Sequence, residues 1–161
     1  MVEKRHRTMT CKVIAARAAV RYKHVMPDGG SPMRHLIPAG LLIAAIIHLL
    51  PLAGVLGGAR LERLYGIPVD EPNIDILLRH RAVLFGLLGL LLLMAAFLPT
   101  LRTPALIAGI VSAASFLVIV AGAGPHNAAI ARVVTADWVA LSALLVAAAV
   151  HALHRPAAGG A

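Results

Sequence analysis

Four long apolar stretches, nearly free of charge, constrain this chain more than anything else in it. They are 36–56 (LIPAGLLIAAIIHLLPLAGVL), 82–98 (AVLFGLLGLLLLMAAFL), 105–123 (ALIAGIVSAASFLVIVAGA) and 133–153 (VVTADWVALSALLVAAAVHAL). The hydrocarbon core of a bilayer takes about 20 apolar residues in a helix. Each stretch is apolar all round, as a lipid-embedded helix is, with no polar face to turn to water. Strands of a membrane barrel would alternate apolar and polar residues, and these do not. Pro99, Pro104 and Pro125 fall between the later stretches, and the connections there are short. The expected fold is all-α: an integral membrane, up-down four-helix bundle.

Composition agrees. Hydrophobic residues make up 60% of the 161 and charged residues 14%. A soluble domain is about 45–50% apolar and roughly 25% charged. Disorder over most of the chain is excluded, and so is a disulfide scaffold, because Cys11 is the only cysteine. Gly54 and Gly58 stand four apart, as do Ala105, Gly109 and Ala113. Such rows let helices approach closely, and in so alanine-rich a chain they read as packing surfaces.

The expected organisation is a basic N-terminal tail over 1–32, a four-helix transmembrane domain over 33–155 and a disordered C-terminus over 156–161. The tail holds seven of the fifteen Lys and Arg. Two readings of it are open. It is a cytoplasmic basic segment that touches anionic lipid, with Arg17 and Arg21 on one helical face. Alternatively, translation begins at Met33, where Met33-Arg34-His35 precedes the first apolar stretch. A start there removes Glu3 and Asp28 with seven bases and lowers the net charge from +8 to +3. Lys and Arg in short loops favour the cytoplasm. The full chain carries ten against five on the side of its termini, whereas a chain from Met33 carries three against five. The first stretch also has a signal-peptide reading, with small residues at 57–59. The basic charge sits largely in the tail and does not point to nucleic acid.

In an up-down bundle the first and third connections share a face, and the unusual side chains converge there. The first connection, 57–81, reads GGARLERLYGIPVDEPNIDILLRHR. We read 59–65 as a short interfacial helix, broken by Gly66-Ile67-Pro68. Asn73 fits an N-cap, with Asp75 in the first turn and Arg79 at i+4 from it. Intramembrane ionisable groups are expensive and point to function. His48 lies near the middle of the first stretch and Asp137 about one turn into the fourth. Asp137 calls for a partner, Arg81 first and Arg132 next. The candidate ligand-binding or ion-pair residues are therefore His48, Arg79, His80, Arg81, His126, Asn127, Arg132 and Asp137.

Structural alternatives stand beside these. Asp137 with an arginine can fix helix register. His48 can bond a backbone carbonyl near Pro51. Ser112, Ser115 and Ser142 can bond back to their own helices. Tyr65 and Trp138 fit an interfacial aromatic belt. His151 and His154 fit a solvated or headgroup-facing end. His48, His80 and His126 show no metal-ligand spacing, and no cofactor motif is present.

The segments HLLPLAGVLGGARLERLYGIPVDEPN, LLRHRAVLFGLLG and NAAIARVVTADWVAL resemble a family of small bacterial inner-membrane proteins with four helices and no established activity. The resemblance implies a multi-pass protein of the bacterial cytoplasmic membrane and supplies no catalytic residues. Some members carry the label phosphopantetheine adenylyltransferase. That soluble enzyme uses a Gly-His nucleotide motif after a first strand, and this chain has no Gly-His dipeptide. In size and helix number the chain is also loosely similar to DoxX-like proteins, an analogy of fold alone.

Three functional readings follow. The first is a non-catalytic structural, assembly or lipid-binding module, acting as a homo-oligomer or with a membrane partner. The second is a membrane enzyme or redox-linked protein. It would bind an anionic lipid or quinone-like ligand at the loop face through Arg79, His80 and Arg81, with His48 and Asp137. The third is an oligomeric transporter or channel.

Overall fold

A computed structural model describes residues 33–153. The expected tail 1–32, Cys11, His154 and the C-terminal segment 156–161 lie outside them. The described chain is helical, and four of its helices are long and apolar enough to cross a membrane. Helix α1 spans Met33–Leu49 and continues as a 3-10 segment, Leu50–Leu56. Helix α2 is Gly58–Tyr65, and α3 is Pro72–Phe97. A 3-10 turn, Pro99–Leu101, leads into α4, Arg102–Ala123, and α5 is Ala128–Leu153.

The local reasons are legible. Pro51 lacks the N–H that an α-helix would bond to Ile47, and α1 gives way to 3-10 geometry at that point. Gly66 ends α2 in the left-handed region, at φ +66°. A side chain there is strained, so glycine fits this stop. The expectation for the next helix needs one correction. Its N-cap is Glu71, not Asn73. The Glu71 carboxylate accepts the backbone N–H groups of Asn73 and Ile74 at 3.0 and 2.9 Å, and Pro72 fills the first turn. A glutamate reaches the first-turn donors from this position as well as an asparagine does, and the proline fixes the entry. Those two N–H groups hold the Glu71 carboxyl below its usual range. With 26 residues at 1.5 Å each, α3 is about 39 Å long. It therefore starts ten residues before the apolar stretch 82–98.

The long helices pack through small residues. On α1 the buried row is Ile37, Leu41, Ala44, Ala45 and His48. On α3 it is Ala82, Gly86, Gly89, Leu92, Ala95 and Ala96. Ala105, Leu106, Gly109 and Ala113 face inward on α4, and Asp137, Ala140, Leu144 and Ala147 on α5. Steps of three and four place each row on one helix face. Close approach is needed at Gly40, where an added Cβ would lie 2.6 Å from the carbonyl oxygen of Ala143 on α5. Leu41, Leu92 and Leu144 are fully buried among these small residues, and further large side chains, Ile46, Leu87, Ile107, Val118 and Ile119, cover the outside. Small residues at the helix contacts with apolar residues on the outer face is the arrangement of helices that face lipid.

A second, smaller core lies under α2, where Leu61, Tyr65 and Val69 are buried with Leu64, Leu78 and Ile130 packed on them. Gly54 and Gly58 serve this core within the chain. Gly54 abuts Leu61, and Gly58 abuts the Val69 backbone. Ser115 bonds back to the Ser112 carbonyl at 2.9 Å, as expected. His151 departs from expectation. It is half-buried and meets the Thr103 hydroxyl at 3.2 Å, joining α5 to α4.

Candidate ligand cavity

A cavity of about 300 Å³ opens where α1, α2, α3 and α5 meet. Its walls include Ile47, His48, Leu64, Tyr65, Phe85 and Val133, with Arg63, Arg81, Arg132 and Asp137 also lining it. The volume is at the low end for small-molecule sites, which run from roughly 300 to 1,000 Å³.

Helix α1 contributes His48, which is 1% exposed. Its Nδ1 lies 2.8 Å from the Ala44 carbonyl, one turn back. A carbonyl only accepts, so Nδ1 carries the proton and Nε2 of the neutral ring is left as an acceptor. The expected backbone bond is therefore made, but by one nitrogen only. Nε2 is buried with no partner. The ring also leans on Phe85 of α3, with centroids 5.7 Å apart. A buried acceptor without a donor costs about 1–3 kcal/mol.

Helix α5 contributes Asp137, 5% exposed. The expected ion pair with Arg81 does not form. Among the described residues the ion pair within 4.0 Å is Arg79–Asp75, at 3.2 Å. The guanidinium of Arg81 instead lies over three rings: Phe85 at 5.1 Å, Phe116 at 5.6 Å and Tyr65 at 5.9 Å. Phe85 is one helical turn beyond Arg81 on the same face. Aromatic faces attract the weakly hydrated guanidinium at these distances. Helix α2 contributes Tyr65. It is 6% exposed and part of the small core, not of a surface belt. Burial pushes its phenol above the usual tyrosine range; Arg81 opposes this and Asp137 adds to it. Trp138 does face outward.

The remaining candidates separate from the cavity. Arg79 holds Asp75 and donates to the Val55 carbonyl at 3.2 Å, pinning α3 to the 3-10 segment. His80 and His126 are exposed and do not line the cavity; His126 stays near its own turn, by the Gly124 carbonyl. The reason is angular, since residues adjacent in a helix point about 100° apart and Arg81 takes the inward direction. Asn127 has a structural task. Its Oδ1 accepts the Ile130 N–H at 2.8 Å, capping α5, and its Nδ2 donates to the Tyr65 and Gly66 carbonyls at 2.9 and 3.2 Å. It thus ties the end of α2 to the start of α5. Arg132 lines the cavity from an exposed position.

Arg63, Tyr65, Phe85 and Phe116 are additions that sequence reading missed. The i,i+4 pair Arg81–Phe85 is a signal that could have shown one of them. No family model, no curated protein and no solved structure matches the chain.

Proposed function

We propose that this chain is a multi-pass protein of the bacterial cytoplasmic membrane, an up-down four-helix bundle that holds a small apolar molecule between its helices and does not transform it. The observation that carries this reading is the cavity, lined by His48, whose Nε2 is buried with no hydrogen-bond partner, and by Asp137, which forms no ion pair among the described residues. Unpartnered polar groups in the wall of a largely apolar cavity give a bound molecule something to bond to. The apolar outer faces of the long helices support the membrane setting. The resemblance to small four-helix inner-membrane proteins agrees with it. Association into homo-oligomers or with a membrane partner belongs to the same reading.

Among the alternatives, the loop-face site now rests on different residues. Arg79 and His80 lie outside the cavity, while Arg81, His48 and Asp137 share it. A redox-linked or proton-moving role would draw on those three.

Native mass spectrometry of the protein, purified in mild detergent from its own host, tests the proposal. We expect a retained small molecule that is lost when Phe85→Trp fills the cavity. Empty protein at every detergent concentration, together with turnover of a substrate that depends on Asp137, would replace binding by catalysis.

A further inference from the structure

The binding reading can be taken one step further, to the chemistry of the guest, and this step rests on it. The two buried polar groups of the cavity are both acceptors. His48 spends its one ring N–H on Ala44, which leaves the Nε2 lone pair. Asp137 presents a carboxylate that no described residue pairs with. Arg81, half-buried, lies over the rings of Tyr65, Phe85 and Phe116 and forms no ion pair with Asp137. No donor of the described residues is placed against either acceptor.

Charge narrows the class. Three arginines and one aspartate line the cavity. That surplus of positive charge disfavours an amine as the donor. An anion would satisfy the arginines, but Arg63 and Arg132 are exposed at the rim and Asp137 would repel it within. The hydrocarbon walls ask for an apolar body. Such a guest is neutral, mostly hydrocarbon, and carries an O–H.

We propose that the cavity binds a small neutral alcohol or phenol whose hydroxyl donates to the Asp137 carboxylate. His48 Nε2 is fully buried, so the carboxylate is the group a guest meets first.

The test ranks three probes of one shape by equilibrium dialysis against the full-length protein in detergent, with protein-free micelles as the blank. The probes are 4-propylphenol, its methyl ether and 4-propylbenzoate. We expect the phenol to bind about tenfold tighter than the ether, the scale of one net hydrogen bond. The benzoate should bind no better than the ether. In Asp137→Leu the phenol and the ether should become equal, while the ether itself binds as before. Equal binding of phenol and ether to the unaltered protein would overturn the hydroxyl assignment and leave an apolar cavity. The benzoate binding tightest would overturn it in favour of the arginine rim. No saturable binding of any probe would remove the cavity reading as well. If Asp137→Leu does not fold, the ranking on the unaltered protein decides alone.

Discussion

Around Ala45, Ala95 and Ala140 the long helices touch through alanines interleaved with Leu41, Leu92 and Leu144, and little but hydrocarbon meets hydrocarbon. Under α2 the same helices part around a cavity, and the contacts become arginine on ring, imidazole on ring and amide on carbonyl. The first region is built for closeness. In the bilayer setting we propose, the hydrophobic effect gains nothing from bringing helices together, so van der Waals contact must do it, and small residues allow that contact. The second region gives up contact and strands two polar groups. Stability and site thus sit in separate regions of one short chain, and substitutions should respond with opposite signs.

The largest effect is expected in the close-packed region. Gly40→Ala drives a methyl against the Ala143 carbonyl, which is backbone and cannot swing aside. We expect a loss of about 1–3 kcal/mol, read by titrating the helix signal with a denaturing detergent. Loss below about 0.5 kcal/mol would mean that α1 and α5 are less tightly opposed than described here.

The cavity region should answer the other way. Asp137→Leu and His48→Phe each remove a buried acceptor without a partner, and we expect stability to rise by about 1–3 kcal/mol in the same titration. A fall of that size would show that the two groups hold the fold together, and would move them into the structural half of the comparison.

Asn127→Ala tests the joint between the regions. It removes the cap of α5 and two bonds to the end of α2. We expect a loss of about 1 kcal/mol, with earlier proteolysis near Gly66. Arg79→Ala should matter least among these, costing about 0.5–1 kcal/mol, because the partly exposed i,i+4 pair with Asp75 and the solvent-exposed bond to the Val55 carbonyl are both weak. Probe binding should be unchanged, which would separate Arg79 from the cavity in solution.

Acid offers a local version of the same contrast. Glu71 is fully exposed, and its carboxyl is held below the usual 4.5 by two backbone N–H groups. A depressed folded value means that the charged form is favoured in the folded helix. The cap is therefore fully present above pH 4.5 and is lost as pH falls through the lower folded value. The protection of the Asn73 and Ile74 amides, relative to their intrinsic exchange rate at each pH, should fall over that interval, and Glu71→Gln should remove that change in protection.

Part of this molecule was open to reading from the chain alone, because its causes are local. The apolar stretches, the stop at Gly66, the start of a helix just before Asp75 and the Asp75–Arg79 pair each depend on residues within about one turn. A helix in lipid must satisfy its own backbone, so length and apolarity are enough to announce it. His48 and Asp137 stood out as ionisable groups set in long apolar stretches. Which way each helix turns about its axis was not readable. A helix that is apolar all round has no polar face to mark its outside. That rotation is decided by where glycines admit a neighbour, as Gly40 admits Ala143 and Gly89 admits Leu49. Once the rotation is set, Arg81 turns inward and His80 outward. Tyr65 moves from surface to core, and Phe85 and Phe116 reach the guanidinium that was expected to pair with Asp137. The polar inventory belongs to the sequence; which members share a cavity, and which stand apart, was settled by close packing between helices far apart in the chain.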